Sequence, residues 1–314
     1  MLEEGENNFL CAIYLDSAGA GLCFCDITTG QVQATAFHGP ERISHLTNEL
    51  GRFHPREALL SDGAFSHPQL RPLLEDRLDC RCENGGEARF RPEVARQAVE
   101  RQFRNGDQLP SDAPEALQAV GGLVDYLHET QKTDLSHINT LTYYTGGQFM
   151  ELDFTARQTL ELTETLRSKE KKGSLLWVMD KTKTAMGGRL MRSWLERPLL
   201  SPAAINRRLA AVKALADDLV TREEIVHCLK GVTDLERLIG RIVYGAAGGR
   251  DLVSLAAGLS QIPRLRQLLT QLDAPLLREL EGELDDLEAL RSLIGDALVD
   301  EPPFSCLLYT SRCV

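Results

Sequence analysis

The stretch FLCAIYLDSAGAGLCFCDITTGQVQATAF, Phe9 to Phe37, decides the first half of the fold. It contains three short runs, Phe9 to Tyr14, Leu22 to Ile27 and Val32 to Phe37, rich in β-branched, aromatic and cysteine residues. Asp16-Ser17-Ala18-Gly19 and Thr28-Thr29-Gly30 separate them. Strand-prone runs punctuated by turn formers predict an antiparallel three-strand meander. Downstream the pattern becomes β-α-β: Pro40-Glu41-Arg42-Ile43 leads into Leu46 and Leu50 at helical spacing, then into a strand at Ala58 to Leu60 closed by Ser61-Asp62-Gly63. A helix around Gln69 to Asp76, a strand at Cys80 to Cys82, and helices near Pro92 to Arg104 and Ala113 to Glu129 complete an α/β unit of roughly 130 residues.

After about Asn139 the strand signals vanish and helical stripes replace them. Ile205, Leu209, Val212, Leu215 and Leu219 step by three and four, as do Leu252, Leu255, Leu259, Ile262, Leu265 and Leu269. That spacing lines one face of an amphipathic helix. Ser201-Pro202 predicts an N-cap followed by proline in the first turn, and Thr221 to Glu224 predicts a capping box. Gly245-Ala246-Ala247-Gly248-Gly249 falls between two helices and reads as a turn. The second region is expected to be all-α.

The chain has 314 residues, enough for two domains with a core in each. With 43% hydrophobic and 26% charged residues it has the composition of a folded, soluble protein. No apolar stretch approaches the roughly 20 residues of a membrane span, so a cytoplasmic location is expected. The net charge of -11 disfavours autonomous binding of nucleic acid, which draws on clustered Lys and Arg. Charge is uneven: Arg157 to Lys213 carries 13 Lys and Arg against 5 Asp and Glu, and Asp273 to Glu301 carries 2 against 10. The run of Arg167, Lys169, Lys171, Lys172, Lys181 and Lys183 reads as an acidic-partner contact or, preferred because no aromatic residue interleaves it, as a solvated face answering the acidic helices.

Several constellations bear on chemistry. The cysteine spacings Cys23-x-Cys25 and Cys80-x-Cys82, with Cys11, Cys228, Cys306 and Cys313 isolated, are not those of a zinc ribbon and predict reduced core thiols. None of the eight lysines follows a glycine, which excludes a P-loop within this stretch. A meander followed by α and β elements has the order of the ribonuclease H architecture, so Asp16, Glu49 and Asp62 form a possible two-metal carboxylate trio. The competing reading places Asp16 and Asp62 in turns for backbone bonding alone. His38, His45 and His54 flank the first helix without a partner pattern for catalysis, and Trp177 and Trp194 are expected in the core.

A more specific signal lies in the helical region. Leu152-Asp153-Phe154-Thr155-Ala156-Arg157-Gln158-Thr159-Leu160-Glu161-Leu162, Gly173-Ser174-Leu175-Leu176-Trp177-Val178-Met179-Asp180, Thr184-Ala185-Met186-Gly187-Gly188-Arg189-Leu190, Trp194-Leu195-Glu196-Arg197-Pro198-Leu199 and Gly231-Val232-Thr233-Asp234-Leu235-Glu236-Arg237 resemble, in order, the core domain of the bacterial MutS mismatch repair ATPases. Asn7-Asn8-Phe9-Leu10 and Asp26-Ile27-Thr28-Thr29-Gly30 resemble that family's connector domain. The resemblance covers about residues 5 to 304 and implies an α/β ribonuclease H-like connector at 1–135 without nuclease activity and an all-α core or lever at 136–304, and the departure of 305–314 from the family pattern leads us to expect a non-native tail there.

What the family adds elsewhere is not visible in this stretch. Its members read mismatches with a Phe-x-Glu wedge, grip duplex with a clamp and hydrolyse ATP with Mg in a P-loop domain. Phe149-Met150-Glu151 spells the wedge pattern at the wrong place and reads as coincidence. The resemblance therefore implies an internal section with no catalytic, cofactor-binding or metal residues of its own. It also implies mismatched double-stranded DNA reached through other domains, a MutL-type partner at the connector, homodimers in the full-length family and a bacterial cytoplasmic setting. Gly187-Gly188 and Gly245 to Gly249 are possible hinges, with turn or cap roles preferred. The rival readings are a metal-dependent nuclease in the α/β domain and a stand-alone helical interaction module.

Overall fold

The computed structural model describes residues 5–103, 109–131, 134–147 and 149–302. The expectations for 305–314, Cys306 and Cys313 fall outside the described residues. The chain divides into two compact units, Met1–Gly147 with Glu151–Leu175, and Gln148–Met150 with Leu176–Val314.

The first unit is built on a six-stranded mixed sheet. The meander forms as expected: β1 (Phe9–Leu15) pairs antiparallel with β2 (Gly19–Asp26), and β2 with β3 (Gln31–His38). Helix α1 (Arg42–Phe53) then carries the chain to β4 (Glu57–Leu60), parallel to β1. Short helices α2 (Asp62–Phe65) and α3 (Leu70–Pro72), with a π turn at Leu73–Arg77, lead to the edge strand β5 (Arg81–Asn84), parallel to β4. Helices α4 (Pro92–Gln102) and α5 (Pro114–Gln131) follow. A strand that the sequence reading misses, β6 (Leu141–Tyr143), pairs parallel with β3 and gives the order β5-β4-β1-β2-β3-β6. Three residues are too few to show an alternating pattern, and the β3 edge supplies what local sequence does not.

Alternation along the strands explains the layers. Cys11, Ile13 and Leu15 of β1 and Ala20, Leu22 and Phe24 of β2 share one buried cluster with Leu46, Leu50 and Phe53 of α1. The opposite face lies against α5, ten of whose residues are buried. Every residue of β2 is buried, as a strand covered on both faces requires. Close approach depends on glycine: a Cβ on Gly21 would stand 1.9 Å from the Glu115 carbonyl oxygen, and one on Gly121 2.2 Å from the Ala95 Cα. The β2–β3 corner is fixed by buried Asp26, whose carboxylate accepts from Asn7 Nδ2 at 2.9 Å, the Asn8 amide at 3.1 Å, the Thr28 amide at 3.0 Å and Thr28 Oγ1 at 2.7 Å. Helix α6 (Phe154–Thr159) ends this unit's regular structure, with the Phe154 ring in the space left open at Gly51.

The second unit is helical: α7 (Leu175–Met179), α8 (Ala185–Glu196), α9 (Pro202–Asp217), α10 (Leu219–Lys230), α11 (Leu235–Val243), α12 (Gly249–Leu259), α13 (Ile262–Leu269), α14 (Pro275–Glu283) and α15 (Glu288–Ala297). Its apolar packing is divided into small clusters. Ala211 of α9 packs with Leu272, Ala274 and Leu277, whereas Leu238 of α11 packs with Leu255 and Leu259 of α12 and Ile294 of α15. Ser201 caps α9 as expected, accepting from the Ala204 amide at 3.4 Å. The predicted capping box at Thr221 is displaced: α10 starts earlier, and Asp218 accepts from the Thr221 amide at 3.0 Å and from its hydroxyl at 2.7 Å. A carboxylate is the stronger acceptor at a helix start and takes the cap from the threonine.

Two expectations about the core change. Trp177 is 48% exposed and Trp194 37%, and the Arg208 guanidinium covers the Trp194 ring at 3.6 Å. In the α9 stripe Leu209 and Val212 face outward, because the contact with α14 is made by Ala211, Ala214 and Leu215. Small side chains on one side let two helices approach, and periodicity alone does not say which face that will be.

Gly21→Ala is expected to lower unfolding stability by about 1–3 kcal/mol through overpacking. Gly295→Ala, on an open helical position, is expected to raise it by about 0.4–1 kcal/mol. Urea titrations followed by far-ultraviolet circular dichroism check both signs.

Candidate functional site: a buried arginine node in the helical unit

Helix α8 begins at Thr184, whose Oγ1 accepts from the Gly187 amide at 3.0 Å. Among its residues only Gly188 and Arg189 are fully buried, and the large apolar Met186, Met191 and Leu195 are half-buried. Its anchor is the Arg189 side chain, 5% exposed. Arg189 Nη1 donates to Asp234 Oδ2 at 2.8 Å, and Nη2 donates to Asp234 Oδ1 at 2.7 Å and to Glu236 Oε2 at 2.7 Å. A planar guanidinium meeting both oxygens of one carboxylate fixes direction as well as distance.

Asp234 serves two elements at once. It is the N-cap of α11, accepting from the Arg237 amide at 3.4 Å. Burial acts against the Asp234 carboxylate, but the Arg189 hydrogen bonds and charge, with Arg237, hold its pKa below the ordinary value of 3.8. For Arg189, burial acts against the guanidinium, and Asp234 and Glu236 outweigh it, so its pKa is raised. Both members are therefore charged at neutral pH. The node ties the Gly187-Gly188-Arg189 block to the Val232-Thr233-Asp234 block, which lie 45 residues apart at Arg189 and Asp234.

Asp16 and Glu49 of the candidate metal trio are held by protein groups. Asp16 caps its turn: Oδ1 accepts from the Ala18 amide at 2.7 Å and the Gly19 amide at 2.9 Å, and Oδ2 from Tyr14 at 3.1 Å. Burial raises its pKa, and these bonds more than reverse that, leaving it below the usual value. Glu49 is held by the Arg52 guanidinium and accepts from Tyr144 at 2.6 Å. Asp62 opens α2 one residue after its cap, Ser61. Among the described residues no three His, Cys, Asp or Glu side chains gather in a metal-holding group.

The remaining residues singled out in the sequence also have local settings. His38 Nε2 lies 3.0 Å from Glu115 Oε2, His45 stacks on Phe37 at 5.6 Å, and His54 ends α1 in the left-handed conformation. Cys11, Cys23, Cys25, Cys80, Cys82 and Cys228 are free, all but Cys82 fully buried. In the basic run Lys169 pairs with Glu164 at 3.0 Å, and Arg167, Lys172, Lys181 and Lys183 are exposed. The acidic helices find cations in the same unit: Arg207 pairs with Glu279, and Arg266 lies 3.2 Å from Glu281 and 3.6 Å from Asp286. Phe149 bridges to Leu199 beneath the Arg197 guanidinium, a structural position for the Phe-x-Glu triplet. Gly245 has φ 68° in the turn after α11, and Gly248 caps α12. The Arg189–Asp234 pairing is not legible in the sequence, because a single sequence displays the two motifs without their contact.

Fold and node together define a scaffold: a mixed-sheet α/β domain and a helical unit strutted by a buried ion pair. Residues 8–139 match the family model of MutS domain II, and residues 155–306 that of MutS domain III. The DNA mismatch repair protein MutS of Alkaliphilus oremlandii is 37% identical over 310 residues, covering 97% of this chain and 35% of its own length. That of Pelotomaculum thermopropionicum is 39% identical over 308 residues, covering 97% and 36%, and that of Ruminiclostridium cellulolyticum 37% over 303 residues, covering 96% and 35%. The chain belongs to the MutS family and carries its connector and core domains. It spans about a third of the length of these relatives.

Arg189→Met, which leaves Asp234 with only the more distant Arg237 at 3.9 Å, is expected to destabilise the helical unit by about 1.5–3 kcal/mol in urea unfolding read by tryptophan fluorescence. Because the folded pKa of Asp234 is depressed, its contribution is present above pH 3.8 and is lost as pH falls through the lower folded value. Asp234→Asn should therefore flatten the acid limb of stability below pH 3.8 while lowering stability at neutral pH; an unchanged acid limb would count against the assignment.

Proposed function

We propose that the chain is the connector and lever section of a DNA mismatch repair ATPase, a mechanical link with no catalytic centre of its own. The observation that carries this reading is the occurrence of both family segments in family order along one chain. In this reading the connector at 1–135 has the ribonuclease H-like fold, supported by the run β3-β2-β1-β4-β5 in the sheet. The core occupies 136–304, its first residues reaching back as β6 to the sheet edge, and 305–314 is a non-native tail.

The lever role rests on rigidity. An element that transmits a displacement must turn as one body, and the Arg189 fork makes α8 follow α11. Mismatched duplex and ATP with Mg are engaged by other domains of the bacterial, cytoplasmic and dimeric full-length protein, and a MutL-type partner meets the connector. Outward-facing Leu209, Val212 and Trp177 suit a unit that works beside further segments of a longer protein. The net charge of -11 agrees with duplex contacts lying elsewhere.

The test is direct. The purified chain should neither hydrolyse ATP nor prefer a G·T-mispaired duplex over its fully paired counterpart in a competition titration at fixed salt. Nucleotide turnover or mismatch preference by the chain alone would overturn the proposal.

A further inference from the structure

We propose that Cys80 and Cys82 form a peroxide-sensitive dithiol at the edge of the sheet, with Cys82 as the attacking thiolate and Cys80 as the resolving thiol. The inference stands on the first unit alone and does not draw on the repair function. Register places Cys82 opposite Ala58, and Ala58 opposite Cys11, so Cys11, Cys82 and Cys80 share the face covered by the short helices. Within that group burial is graded: Cys11 is fully buried, Cys80 is 3% exposed, and Cys82 is partly open to solvent.

The surroundings separate the two thiols chemically. Each thiol donates to a backbone carbonyl, Cys80 to Arg81 at 3.9 Å and Cys82 to Cys80 at 3.8 Å, and the neighbouring Cys80 side chain lowers the Cys82 pKa below the ordinary thiol value. Burial and Glu75 oppose the shift, and Arg71 adds to it. The Cys82 side chain in turn, with burial, raises Cys80. Burial also raises Cys11 well above the ordinary value, and Cys11 lies two strands in from the edge with Ala58 between it and Cys82. The low-pKa thiol is thus also the accessible one.

Backbone geometry permits closure. Two residues along a strand span about 6.6 Å between Cα atoms, at the upper end of the range of roughly 4.4–6.8 Å that disulfides tolerate. Cys80 precedes the first residue of β5, directly after Asp79 at φ 50°, and β5 is an edge strand with a single neighbour. The chain can pucker there without breaking a second ladder. The Cys82 sulfur already folds back to 3.8 Å from the Cys80 carbonyl oxygen.

The chemistry balances with hydrogen peroxide as oxidant. The Cys82 thiolate attacks one peroxide oxygen, an S–O bond forms as O–O breaks, and the departing hydroxide takes a proton to become water. The Cys80 sulfur then attacks the sulfenic sulfur, S–S forms, S–O breaks, and a second water leaves with the Cys80 proton. Two thiols lose two electrons and one peroxide gains them. A bridge closed near its geometric limit is readily reduced, so the step is reversible.

Trypsin cleaves after Arg81 and supplies the readout. After brief peroxide treatment of the purified chain and blocking with N-ethylmaleimide, Leu78–Arg81 and Cys82–Arg89 should appear as one linked pair, two hydrogens lighter than the sum of the free peptides and separated by dithiothreitol. Cys80→Ser should leave a dimedone-trappable sulfenic acid on Cys82, and Cys82→Ser should leave Cys80 unoxidised. The proposal fails if both wild-type cysteines remain fully alkylatable, if Cys82 over-oxidises while Cys80 stays reduced, or if Cys82 links to another cysteine. The wild-type measurement decides the matter even if a variant does not fold.

Discussion

Helix α8 is held to α11 by charge, and the helical unit depends on that choice. With only Gly188 and Arg189 fully buried on α8, and the large apolar Met186, Met191 and Leu195 half-buried, apolar burial has less to act on. Stripping water from a guanidinium and a carboxylate is costly, and a well-packed apolar contact of equal size could be as stable. What the ion pair adds is direction. Two parallel hydrogen bonds to Asp234 and a third to Glu236 set the rotation of α8, where apolar contacts would let it slide. Because Asp234 also caps α11, a shift of one helix is felt at the first turn of the other.

The first unit solves the same problem by proximity. Its sheet is covered on both faces, and α5 comes close enough to β2 that the Glu115 backbone occupies the space of a side chain at Gly21. Buried Asp26 then fixes the corner where the amino-terminal segment meets the β2–β3 turn. One unit is stiffened by close packing and the other is strutted by an ion pair.

Much of this was legible in the sequence, for identifiable reasons. Strand-prone runs separated by Asp-Ser-Ala-Gly and Thr-Thr-Gly announce the meander, and the structure places β1, β2 and β3 there. The Ser201-Pro202 start of α9 is equally local. Tertiary context decides the rest. Three-residue β6 exists because β3 offers an edge, and the α9 stripe turns outward because Ala211 and Ala214 allow a closer approach to α14. Trp177 and Trp194 look like core by composition but lie at the surface. Arg189 and Asp234 were visible as members of two family blocks, and their contact was not, since nothing in either block names the other.

A double-mutant cycle on Arg189 and Asp234 measures the central claim most directly. Urea unfolding of the wild type, Arg189→Met, Asp234→Asn and the double variant, followed by tryptophan fluorescence, separates the pairwise term from the effect of each change alone. Both tryptophans, Trp177 and Trp194, lie on the helical unit's own elements α7 and α8. The account predicts a favourable coupling of at least about 1.5 kcal/mol. A coupling indistinguishable from zero, with the two single effects simply adding, would show that α8 is held by something else.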